Sequence, residues 1–63
     1  MELKDVIKKV RLSLRLSQAE FGRRVGVSES LVCRWEQGNR KPNYKNLRKI
    51  IKAFQLDPEI FFK

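Results

Sequence analysis

Apolar residues recur along the chain at helical spacing, in blocks separated by capping signals. Leu3, Val6, Ile7, Val10 and Leu14 form the first stripe and predict a helix over about 2–14, with Leu12 off the stripe and expected partly exposed. Glu2 and Asp5 lie in its first turn, and Lys8, Lys9, Arg11 and Arg15 toward its end, a polarity that suits the helix dipole. A second pattern opens at Ser17, with Glu20 three residues on. That spacing predicts a capping box, the hydroxyl taking one orphan amide and the carboxylate reaching back to another. Leu16 and Phe21 stand at hydrophobic-staple spacing, and Ala19, Phe21, Gly22 and Val25 form the inner face. Gly26 ends the helix, being free to take positive φ. Ser28 is a second N-cap, Val27 and Val32 repeat the staple, and Val32 and Trp35 carry a third stripe over about 29–37, closed by Gly38.

Only Gly26, Val27 and Ser28 separate the second and third helices, so the chain turns sharply and describes a helix-turn-helix at about 18–37. Interior Gly22 is expected to admit the close crossing of the third helix, with Ala tolerated there. Asn43 caps a fourth helix carrying Tyr44, Leu47, Ile50, Ile51 and Phe54, and Pro42 prevents an earlier start. Lys45, Arg48, Lys49 and Lys52 line its solvated face. Leu56, Asp57 and Pro58 then supply staple, cap and first-turn Pro for a short fifth helix. Ile60, Phe61 and Phe62 are consecutive and cannot all face inward. Phe61 is expected inside by its staple with Leu56, which leaves Ile60 or Phe62 to face a partner.

Composition narrows the function. Sixty-three residues make one core, so 1–63 is expected to be a single domain, and a small helical bundle is the economical solution. Fifteen basic against seven acidic residues give a net charge of +8, which points to a polyanion, nucleic acid before membrane. The competing reading is a self-repelling surface that aids solubility, and it applies also to Arg23 and Arg24. One Cys excludes an intrachain disulfide and fits a reducing, cytoplasmic compartment. No His is present, which removes most zinc sites, Ser-His triads and the commonest general base. No apolar run approaches a membrane span, and Lys4 and Asp5 interrupt any signal peptide. With no His, no carboxylate pair in a recognisable pocket and no phosphate-binding Gly loop, an enzyme is not expected, and no cofactor, metal or small-molecule ligand is implied. Cys33, beside the third stripe, reads as a small half-buried filler or as a redox-sensing thiol.

The stretches LSQAEFGRRVGVS and LVCRWEQG, followed by KP, resemble the phage repressor and Cro family, often called XRE. The shared features are Gln18, Gly22, Gly26-Val27-Ser28, Val32, Trp35, Glu36 and Gly38, and the resemblance runs over about 7–62. Arg15 and Gln55 stand where the family prefers Gly, and Cys33 where it commonly has Ser or another small residue. The resemblance implies an all-α, five-helix, lambda-repressor-like domain that binds specific double-stranded DNA as a transcriptional regulator, in a prokaryotic cell or phage-infected host. It places the third helix in the major groove, with Glu29, Ser30 and Arg34 as reading positions. Arg34 has two donors for guanine O6 and N7, Glu29 an acceptor for cytosine N4, and Ser30 serves either way. Glu29 has a competing role, an acid stabilising the helix N-terminus. Gln18 resembles the family Gln that clamps a phosphate, and Gln37, Asn39, Arg40 and Lys41 would hold another phosphate strand. Leu31 is left between a thymine methyl contact and packing on Tyr44 or a neighbour. Arg11 resembles an Arg that pairs with Glu36. The family's assembly is a two-fold dimer on a near-palindrome, here expected to be weak and formed on DNA through Ile60 or Phe62. Two other classes remain open: an antitoxin or protein-binding adaptor using Leu12, Leu31 and the C-terminal aromatics, and an RNA-binding basic domain.

Overall fold

The computed structural model describes residues 2–62, with the side chains of 2–61. Five helices occur among them: α1 Leu3–Ser13, α2 Gln18–Val25, α3 Glu29–Gln37, α4 Tyr44–Phe54 and α5 Glu59–Phe62. The predicted N-caps are made by side chains. Ser17 Oγ accepts from Glu20 N at 3.0 Å, Ser28 Oγ from Leu31 N at 3.1 Å, and Asn43 Oδ1 from Asn46 N at 2.8 Å. Asp57 Oδ1 accepts from Glu59 N at 3.0 Å ahead of α5. Half of the expected capping box is replaced. Glu20 does not reach back but turns along the helix to Arg23 at 2.9 Å and Arg24 at 3.7 Å, on the exposed face.

The first four helices stop in the same way. Each is followed by a left-handed residue: Arg15 (φ 58°), Gly26 (φ 92°), Gly38 (φ 80°) and Gln55 (φ 53°). The next amide then reaches back five residues: Leu16 N to Arg11 O at 3.2 Å, Val27 N to Gly22 O at 2.8 Å, Asn39 N to Arg34 O at 3.0 Å, and Leu56 N to Ile51 O at 2.9 Å. This is the Schellman closure. Arg15 and Gln55 enter it without glycine, at a backbone cost of roughly 1–2 kcal/mol each. Leu16, Val27 and Leu56, the residues after the left-handed position, all pack onto the core. Asn39 is the polar exception, and its loop faces solvent.

The core is Ile7, Val10, Phe21, Val25, Val32, Trp35 and Ile50, and Leu47 of α4 is buried as well. Trp35, Phe21, Ile7, Ile50 and Val32 are sealed from solvent, each contributing about 1.5–3 kcal/mol by leaving water. Phe54 stacks on Phe21 with ring centroids 5.1 Å apart. α3 packs on α1 and α2, α2 on α4, and α1 on α5.

Three expectations are corrected. Leu14 is 41% exposed, because α1 ends at Ser13 and Leu14 lies past the last turn of the stripe. Tyr44 is 64% exposed at the first position of α4, with the Arg48 guanidinium 5.8 Å from its ring centre. Gly22 faces the backbone of the turn, not the side of α3. A Cβ there would lie 2.7 Å from Val27 O and 3.2 Å from Ser28 O, so Ala does not fit without moving the turn. Leu12, as expected, is exposed. Pro42 is buried, a packing role beyond blocking the start of α4.

Candidate nucleic-acid interface

Two short helices fix the surface. α2 lies on α3 through the three-residue turn, and Trp35 and Val32 anchor the inner side of α3. The outer side is then Glu29, Ser30, Cys33, Arg34 and Gln37, spread over less than half the helix circumference. Together with Gln18 from the start of α2, these residues line one shallow groove. All three expected reading residues, Glu29, Ser30 and Arg34, are therefore side by side and exposed. Among the described residues neither Glu29 nor Arg34 forms an ion pair.

Behind this face, Arg11 and Glu36 make a two-bonded pair. Nε donates to Oε2 at 2.6 Å and Nη2 to Oε1 at 3.0 Å. The third nitrogen, Nη1, donates to Leu16 O at 2.8 Å, which holds the α1–α2 link. The two side chains are 12% and 5% exposed. Hydrogen bonding to Glu36 raises the Arg11 pKa above its ordinary value; burial opposes this and the Glu36 charge reinforces it. Gln18 Nε2 also donates to Glu36 Oε1, at 3.2 Å. One carboxylate thus ties α1, α2 and α3 together. Sequence reasoning gave Gln18 only a phosphate; the structure gives its amide nitrogen an internal partner, which fixes where its free oxygen and the α2 N-terminus sit.

The remaining expected phosphate residues lie on the α3–α4 loop. Asn39 and Arg40 donate their amides to Arg34 O, at 3.0 and 3.3 Å, and Asn39 Nδ2 donates to Gln37 Oε1 at 2.9 Å. Arg40 and Lys41 are exposed and line a second hollow with Gln37, Gly38 and Lys4. Gln37 lines both depressions, so the groove of Glu29, Ser30 and Arg34 and the hollow at the cationic loop adjoin at that residue. Leu31 packs on the core cluster while half-exposed, which favours the packing side of its two readings. Cys33 is half-buried inside the groove, closer to the reading positions than its description as a filler implied; its i, i+4 relation to Glu29 was the available signal. Lys4, to which the sequence gave no place beside Arg40 and Lys41, lines the same hollow. Ile60 is exposed, while the Phe62 side chain lies outside the described residues. Among the described residues no group of three or more His, Cys, Asp or Glu is placed to hold a metal, and no helix is long and apolar enough to cross a membrane.

A five-helix bundle that presents one short helix across a three-residue turn, with an open polar groove and a basic loop at its end, is a helix-turn-helix domain of repressor type. The chain belongs to the Helix-turn-helix family, which matches residues 7–61. It is 38% identical over 53 residues to the repressor protein C2 of Salmonella phage P22, covering 84% of this chain and 24% of that repressor; the chain spans about a quarter of its relative's length. The solution structure of the DNA-binding domain of the P22 C2 repressor superposes with a TM-score of 0.90 at 33% identity, over 100% of this chain and 83% of that one. The crystal structure of the P22 c2 repressor in complex with a synthetic operator gives a TM-score of 0.85 at 32% identity, over 97% and 94% of the two chains. The domain is a non-enzymatic helix-turn-helix domain, and the relative it matches is a repressor.

Proposed function

We propose that this domain binds double-stranded DNA sequence-specifically and acts as a transcriptional repressor, reading the major groove with α3 as a dimer on a near-palindromic operator. The observation that carries the reading is the groove in which Glu29, Ser30, Arg34, Gln37 and Gln18 meet, with the Arg34 and Glu29 charges not engaged inside the protein. Arg34 donates to guanine, Glu29 accepts from cytosine, and Ser30 serves either. Gln18, Gln37, Asn39, Arg40 and Lys41 set register on the phosphates. The likeness to a repressor crystallised on its operator supports the same arrangement. Ile60, and by sequence Phe62, are the proposed dimer contact, a small patch that suits a dimer formed on DNA. The adaptor reading loses Leu31, which packs on the core.

Selection of bound sites from a random duplex pool tests this, with wild type and Arg34→Ala in parallel. Wild type is expected to enrich a near-palindrome with half-sites about one helical turn, ~34 Å, apart. Arg34→Ala is expected to lose about 1–3 kcal/mol on that site and to relax one base pair per half-site. An unchanged preference in the variant would remove Arg34 from the reading set. No enrichment by wild type, or preference for RNA hairpins in competition, would overturn the function itself.

A further inference from the structure

We propose that Lys4, in the first turn of α1, is a further contact to the DNA phosphate backbone and completes a three-cation cradle with Arg40 and Lys41; the proposal rests on the DNA-binding reading above. Lys4 is 37 positions from Lys41 in sequence, yet the two line one hollow together with Arg40, Gln37, Gly38 and Trp35. Gly38 makes the meeting possible. A Cβ on Gly38 would stand 3.1 Å from Lys4 Cδ and 3.8 Å from its Nζ, so the Lys4 side chain lies across the glycine and carries its ammonium onto the α3–α4 loop. Gly38 thus serves two ends, the left-handed stop of α3 and the seat of a lysine from α1.

Three cations around one hollow repel one another until an anion enters. Among the described residues the single carboxylate lining the hollow is Glu2, whose Oε2 is 3.8 Å from Lys4 Nζ. Both groups are well exposed, so this pair holds little free energy and exchanges readily for a phosphate. A lysine is a mobile point charge, suited to a phosphate and not to reading a base edge. Lys4 therefore adds affinity and salt dependence without adding sequence preference. Glu2 competes with the phosphate for the same ammonium.

The experiment measures binding of the full chain to a duplex carrying one half-site, from 50 to 200 mM salt, for wild type, Lys4→Gln, Lys4→Arg, Glu2→Gln and Arg40→Ala, with a scrambled duplex alongside. Counterion release gives each phosphate contact a slope of about −0.9 in log K against log salt. Extrapolated to 1 M salt, where the electrostatic gain vanishes, one contact is worth about 15-fold at 50 mM and about fourfold at 200 mM. Lys4→Gln is expected to lose those factors on both duplexes alike and to keep the wild-type melting temperature. Lys4→Arg is expected to retain affinity, and Glu2→Gln to raise it. Unchanged affinity and slope in Lys4→Gln, with a normal loss in Arg40→Ala, would overturn the role of Lys4 alone. A loss confined to the half-site duplex would also overturn it, as would a fall in Glu2→Gln. If wild type shows no salt-dependent binding and Arg40→Ala changes nothing, the DNA-binding reading fails first.

Discussion

Gly22→Ala is expected to destabilise the domain by about 1–2 kcal/mol, although Ala is the better helix former. The propensity term favours the variant by about 1 kcal/mol. Against it stands the new methyl, 2.7 Å from Val27 O and 3.2 Å from Ser28 O, both backbone atoms of the turn. Overpacking against groups that cannot swing aside costs about 1–3 kcal/mol. Moving the turn also stretches the bonds that Gly22 O accepts from Gly26 N at 2.7 Å and Val27 N at 2.8 Å, each worth about 1 kcal/mol net. At this chain length 1 kcal/mol shifts the melting temperature by about 4–8 °C, so a fall of about 4–16 °C is expected in thermal unfolding followed by far-UV circular dichroism. Because the displaced turn carries the start of α3, half-site affinity should fall as well, measured at a temperature where the variant is fully folded. A melting temperature equal to or above wild type would show that the turn yields freely, and the steric account of Gly22 would be wrong.

The other expectations are independent of that turn. Arg11→Met should cost roughly 1–3 kcal/mol by leaving Glu36 buried and short of partners, and adding Glu36→Gln should recover part of it; strictly additive losses in the double-mutant cycle would show no coupling. Arg11 stays charged throughout the folding range, since its raised pKa places any loss of the pair from that side only in strong alkali. Arg15→Gly should raise stability by about 0.5–1 kcal/mol, the left-handed strain relieved less the entropy that glycine gains when unfolded; a lower melting temperature would mean that the arginine side chain compensates. Ile60→Asp should abolish cooperative two-site binding while sparing the single half-site, and unchanged cooperativity would clear α5 of any part in dimerisation.

The helix bounds were legible where side chains write them. Ser17, Ser28, Asn43 and Asp57 each carry an oxygen that takes a particular amide, so the starts could be read residue by residue. Stops were legible at Gly26 and Gly38 but not at Arg15, whose left-handed φ is imposed by the closing bond and by Leu16 entering the core. That is why the α1 stripe was carried one residue too far, to Leu14. The groove was legible because Glu29, Ser30 and Arg34 fall on one side of a helix whose inner side is set by Val32 and Trp35. The choice of Glu20 for Arg23 over the capping amide is a contest between two local partners of one carboxylate, the approach of Val27 O and Ser28 O to Gly22 depends on how tightly the turn folds back, and the reach of Lys4 across Gly38 is a tertiary contact with no local signature.

The Glu36 carboxylate has a kinetic consequence. Because Arg11, Leu16 O and Gln18 hold α1, α2 and α3 in register before any ligand arrives, α3, on the proposed function, has no ordering step to complete on meeting DNA. Association then becomes a matter of diffusion and of steering by the net charge of +8, and both are nearly blind to sequence. Operators of different strength would be found at similar rates and told apart by how long the domain stays. Discrimination among sites would thus be expressed as residence time, and loosening the Arg11–Glu36 joint would show first as a slower and more variable arrival.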